Sequence, residues 1–157
     1  MKGSKFKAGL AMRKKVLGAE YVEKSLKNAD DFFMPFQELV TEFAWGSLWT
    51  RPGLPPKIRS MLVLAFCIAL NRPNELKLHL KGALRNGCTK NEIREILLQA
   101  FGYCGAPASL EAFHVARAVF AELEANKKPA RSAWGANGLA LGGRVEITCM
   151  ALIPDRR

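Results

Sequence analysis

Arg72, Glu75 and His79 stand three and four residues apart, and Pro73 between them is a residue type that opens helices. They therefore share one side of a helix across its start. Leu76, Leu80, Ala83 and Leu84 mark the apolar face of that helix, and His79 borders it. An imidazole at a core edge, with a carboxylate one turn earlier, is a tunable acid or base. The plainer reading is a surface ion pair or a satisfied core histidine. A second column, Glu38, Glu42, Trp45 and Trp49, repeats at intervals of four, three and four. Two indoles beside a carboxylate can wall a small-molecule pocket whose apolar surroundings raise the acid's pKa. The same stripe also suits a core or a subunit interface. Arg51, Arg59 and Arg72 flank the loops that enter these helices. A guanidinium there can clamp a carboxylate bidentately, or simply face solvent.

Other chemistry is poorly supplied. His114 lies between Phe113 and Val115 with no carboxylate in register, and reads as structural. Cys67, Cys88, Cys104 and Cys149 show neither a C-x-x-C nor a metal-type spacing, so they read as buried thiols of a reducing compartment. There is no G-x-S-x-G, P-loop or dinucleotide fingerprint. Two histidines without clustered acids are too few ligands for a metal site. The expectation is no metal and no cofactor.

The elements that must position these residues read as helices. With 157 residues, 49% of them hydrophobic, the chain is long and apolar enough for one domain with a real core. Six helices are expected: Lys5 to Asn28; a second after Asp30-Asp31 running to Trp49; Lys57 to Asn71; a fourth from Pro73 to the Asn86-Gly87 stop; a fifth after the capping box Thr89-Lys90-Asn91-Glu92; and Ser109 to Asn126. The third is apolar on nearly all sides and should be central. Arg51-Pro52-Gly53-Leu54-Pro55-Pro56 must be a loop. The fold class is all-α. Beyond Lys127-Lys128-Pro129 a Gly-rich tail contains a strand-like alternation from Val145 to Ile153, which suits an arm on a neighbouring subunit or a loose extension.

The formal charge of +10 is unevenly placed. Residues 1–15 carry six Lys/Arg and no acid, residues 127–157 add a net +4, and residues 16–126 balance twelve bases against twelve acids. The chain thus divides into a basic N-terminal arm (1–15), a neutral helical domain (16–126) and a basic tail (127–157). A nucleic-acid-binding body should carry its excess on one folded face, which argues against that partner. A helix-turn-helix-like spacing about Asn86 to Thr89, with Lys90, Asn91 and Arg94 beyond it, is the one feature in its favour. The longest apolar run, Met61 to Leu70, is ten residues, well short of the roughly 20 a bilayer span needs. A soluble, cytoplasmic protein with no membrane partner is expected.

A set of residues in one order resembles the carboxymuconolactone decarboxylase family. It comprises Val16-Leu17-Gly18 with Tyr21-Val22, Phe36-Gln37, Thr41-Glu42, Trp45-Gly46, Trp49, Arg51-Pro52-Gly53-Leu54, Arg59-Ser60, Glu75-Leu76 with His79, Asn86-Gly87, Glu92-Ile93 and Tyr103-Cys104-Gly105-Ala106-Pro107. The resemblance covers about residues 14–120. It implies a six-helix bundle of the alkylhydroperoxidase D type, assembled as trimers or hexamers with sites near subunit contacts. It also implies cofactor-free decarboxylation of a small dianionic lactone, 4-carboxymuconolactone, to the β-ketoadipate enol-lactone in protocatechuate breakdown. His79 would be the proton donor, Glu42 or Glu75 its orienting acid, Arg51, Arg59 and Arg72 the anion clamps, and Trp45 an apolar wall. The peroxidase branch of the same fold uses C-x-x-C followed after three residues by His. Arg72 and Glu75 stand at its thiol positions, and Ser60 near its upstream glutamate. An antioxidant peroxidase, and a non-catalytic or nucleic-acid-binding helical protein, are the alternatives.

Overall fold

The computed structural model describes residues 3–126, and no strand occurs among them. Helix α1 spans Ser4–Leu17 and α2 Ala19–Lys27; α3, Met34–Leu39, runs straight into a π-helical segment, Val40–Leu48. Then follow α4 (Pro56–Ala69), α5 (Pro73–Arg85), α6 (Lys90–Cys104) and α7 (Ala106–Ala125). The chain is all-α, as expected. Its contacts separate Met1–Ala121 from Glu122–Arg157; of the latter, only the end of α7 and Asn126 are described. The Gly-rich tail, with its strand-like stretch and Cys149, lies outside the described residues.

Among the described residues seven α-helices replace the six expected, because Gly18 interrupts the first. Its φ of 97° is open to glycine and costly for other residues. Arg85 closes the break: its Nη1 donates to the carbonyls of Leu17 (3.0 Å) and Val16 (3.3 Å), satisfying the end of α1 with a cation where the helix dipole is negative. The basic residues of positions 5–15, expected on an arm, ride instead on a packed helix. Phe6, Gly9, Arg13, Val16 and Leu17 of α1 are buried, and α1 lies along the π-helical segment. The approach is backbone to backbone. A Cβ on Gly9 would fall onto the Thr41 carbonyl oxygen, and one on Gly46 onto the Lys5 carbonyl oxygen.

Helix α4 packs against α5 and α6, and buries Ser60, Leu64, Cys67 and Ile68. It is central but not enclosed. Ile58, Leu62 and Phe66, four residues apart on one face, and Leu70 beyond the helix end point outward, Phe66 with 59% of its surface exposed. The fully buried side chains that close the core include Val16, Val22, Leu64, Leu80, Ile93, Leu97 and Val119. Local signals set the ends of α5 and α6. Gly87 at φ 86° stops α5. The Thr89 hydroxyl accepts from the Glu92 N–H (3.1 Å) while the Glu92 carboxylate accepts from the Thr89 N–H (2.8 Å). Glu92 also pairs with Lys57 of α4 at 2.7 Å. These contacts hold its carboxyl down at about 2. No helix among the described residues is long and apolar enough to cross a membrane.

Candidate active site

Trp45, Trp49 and His79 form a stack. The indole rings lie 4.8 Å apart at 25°, and the imidazole lies parallel to Trp45 (9°) with 6.3 Å between centroids. The segment that carries both indoles has a π-helical hydrogen-bond pattern. Trp49 N–H donates to the Ala44 carbonyl, five residues back, so a turn is wider than in an α-helix. A spacing of four then falls almost in register, and Trp45 and Trp49 both turn inward, only 5% and 9% exposed. A spacing of three falls further behind. Glu42, expected on the same column, is exposed, and a Cβ on Gly3 would lie 3.8 Å from its Oε1, so its carboxylate sits by the start of α1.

His79 is half-buried, and its Nδ1 is fully enclosed without a hydrogen-bond partner. An enclosed polar atom left unpaired is rare, and calls for a physical explanation. Burial lowers the imidazole pKa, which Glu75 partly offsets. The resting ring is therefore neutral at pH 7. Glu75, itself exposed, also raises the pKa of Cys67 on α4, which burial pushes up to about 11. Sequence reasoning missed this neighbour of Glu75, because the contact crosses the α4–α5 turn and no local spacing announces it.

The arginines divide. Arg59 turns back on the 51–55 loop, its Nε donating to the Leu54 carbonyl (3.1 Å) and its Nη2 to the Arg51 carbonyl (2.9 Å). Arg51 is exposed on that loop. Arg72, at the head of α5, lines a small crevice with Cys67, Asn71 and Glu111 of α7. Thus Trp45, Glu75 and His79 are brought together, Arg59 braces the loop carrying Arg51, and Arg72 faces the α7 side of the seam. His114, read as structural, is exposed. Among the described residues no group of His, Cys, Asp and Glu could hold a metal ion.

Neither Cys67 nor Cys88 suits thiol peroxide chemistry. Attack requires thiolate, and burial raises both Cys67 and Cys88. Ser60 is buried and accepts a hydrogen bond from Asn86 Nδ2 at 2.9 Å, so it offers no carboxylate to relay a proton.

Comparison with known proteins agrees with this chemistry. Residues 35–118 match the model of the carboxymuconolactone decarboxylase family. A 4-carboxymuconolactone decarboxylase of Acinetobacter baylyi is 44% identical over 119 residues, covering 76% of this chain and 89% of the relative. A nitrosuccinic acid decarboxylase of Metarhizium robertsii is 52% identical over 110 residues, 70% of this chain and 77% of the relative. An uncharacterized 15.0 kDa protein of Paracoccus denitrificans is 34% identical over 84 residues, 52% of this chain and 62% of the relative. The chain belongs to the carboxymuconolactone decarboxylase family and, as a decarboxylase, is a carbon–carbon lyase.

Proposed function

We propose that this decarboxylase converts 4-carboxymuconolactone to the β-ketoadipate enol-lactone and carbon dioxide, a step of aromatic catabolism, without a cofactor. The observation that carries the reading is the enclosed, unpaired Nδ1 of His79 against the Trp45 ring in a chain of this family. As the carboxylate leaves, the bond to the ring carbon breaks. Its electron pair moves through the ring alkene to the lactone carbonyl, giving an enolate. One proton delivered to ring carbon completes the product, and His79 supplies it. A neutral imidazole must first be charged. The arriving dianion raises its pKa, so substrate binding takes up a proton. Glu75 assists by favouring the imidazolium. Arg51, exposed on the loop that Arg59 braces, is the cation for the retained carboxylate and the enolate oxygen, and Trp45 is the apolar wall that favours neutral carbon dioxide.

The 52% identity to a nitrosuccinic acid decarboxylase supports a second substrate reading. Nitrosuccinate is also a dianion whose departing carboxylate adjoins an electron sink, the nitro group. The same proton donor and cation serve both. Ultraviolet assay of loss of each acid, with wild type and His79→Gln compared, separates the two. The reading fails if neither acid is consumed.

The functional unit is a homo-oligomer in this reading. The resemblance to the family implies trimers or hexamers, and the apolar outer face of α4 supports association of copies. Ile58, Leu62 and Phe66 border a groove of about 680 Å³ shared with Ile96 and Tyr103 of α6.

A further inference from the structure

Arg13 is the most deeply buried cation of the described chain, 5% exposed, and the catalytic account does not use it. Its Nη1 donates to Thr41 Oγ1 at 2.9 Å and its Nη2 to Gln37 Oε1 at 2.8 Å, both neutral groups, while its Nε has no partner. Burying a guanidinium on such terms costs stability, and the best-attested return for such a cost is the choice of one register over another. The two acceptors sit on either side of one boundary. Gln37 lies in the last turn of α3, and Thr41 in the first turn of the π-helical segment. The Thr41 hydroxyl in turn donates to the Gln37 carbonyl at 2.7 Å, and the Val40 N–H reaches both the Phe36 and Gln37 carbonyls. A threonine hydroxyl bonded back to the carbonyl four residues earlier competes with the α-helical ladder at this place.

We propose that Arg13 is a positioning residue: its planar fork, spanning Gln37 and Thr41, fixes the switch from α- to π-helical register and thereby seats Trp45 and Trp49 against His79. Trp45 and Trp49 follow Thr41 by four and eight residues, so the period chosen at Thr41 sets the angle at which each indole leaves the helix, the second more than the first. The inference rests on the proposed function only for its kinetic arm.

The test uses Arg13→Lys, which keeps the charge and loses the fork, and Thr41→Val, which keeps the shape and loses the hydroxyl. Both are made in the full chain with Trp134→Phe, so that Trp45 and Trp49 are the only tryptophans. The readouts are far-ultraviolet helix content, the near-ultraviolet signature of the indole pair, and kcat and KM. The expected result is full helix content with the indole-pair signature at least halved, and kcat down about tenfold with a smaller change in KM, as displaced catalytic groups produce. An unchanged signature in a folded Thr41→Val variant overturns the proposal. So does loss of the signature only together with the helix signal in both variants, since Arg13 would then hold the fold and not the register. If wild type consumes neither acid, the proposed function fails while the indole signature still decides this one.

Discussion

At the scale of single residues the account turns on an imidazole whose charge is set by opposing influences. Burial lowers the His79 pKa and Glu75 raises it. Glu75→Gln should therefore move the His79 titration to lower pH, measured by the shift of its ring protons in NMR, and lower kcat/KM in the same direction. The working form in the proposed reaction is the imidazolium. The basic limb of kcat/KM reports the free enzyme and should lie below the ordinary histidine value of about 6.5. The limb of kcat reports the complex, where the bound dianion favours the charged ring, and should lie at higher pH. Coincident limbs would mean that substrate does not charge His79. Stability follows the same linkage. A histidine whose folded pKa is depressed contributes stability above its unfolded value, lost as pH falls from about 6.5 through the lowered one. The Glu75–His79 pair and Trp45 were legible because each rests on short-range helical spacing. Glu42 was not, because the three-residue step to Trp45 falls in a π-helical turn. Neither Cys67 nor the Arg13 contacts with Gln37 and Thr41 follow from local spacing, since each joins separate elements.

At the scale of elements, the α1 contact with the π-helical segment is the least forgiving. Gly9→Ala places a methyl on the Thr41 carbonyl oxygen, with backbone on both sides and no flexible side chain to yield. It should cost about 3 kcal/mol, the upper range for overpacking, seen as a lower midpoint in urea unfolding. Gly53→Ala, where nothing lies within 4 Å, is the control and should change little. The capping box at α6 is a smaller element-level prediction. Thr89→Ala should lose about 1 kcal/mol, read from thermal unfolding. That box, the Gly87 stop and Pro56 at the head of α4 were all readable, because capping is written in four or five consecutive residues. The break at Gly18 was not read, since an apolar pattern continues across it and only the backbone dihedral gives it away. The π-helical period was equally hidden. Tertiary partners on α1, not the composition of Val40–Leu48, hold it.

At the scale of the whole molecule, two apolar surfaces stand out among the described residues. One follows α4, with Leu62 and Phe66; the other follows α3 and the π-helical segment, with Phe36, Leu39 and Phe43, all of them exposed. Monomeric proteins seldom present such surfaces. Light scattering of the wild type should give a multiple of the 17.3 kDa chain mass. Phe66→Glu should reduce that mass with the helix content retained, and an unchanged mass would remove α4 from the interface. The charge balance read from sequence holds for composition, but its placement on arms did not anticipate α1, whose lysines face outward from a helix with a buried inner side. Net charge says where bases lie along the chain and nothing of whether a stretch packs.

The central claim is tested most directly by following the ultraviolet absorbance of 4-carboxymuconolactone with wild type and His79→Gln side by side at matched oligomeric state. The account predicts turnover by the wild type and a loss of at least about 100-fold in kcat for the variant, the lower range for removing a positioned acid. A folded variant that decarboxylates at the wild-type rate would contradict it.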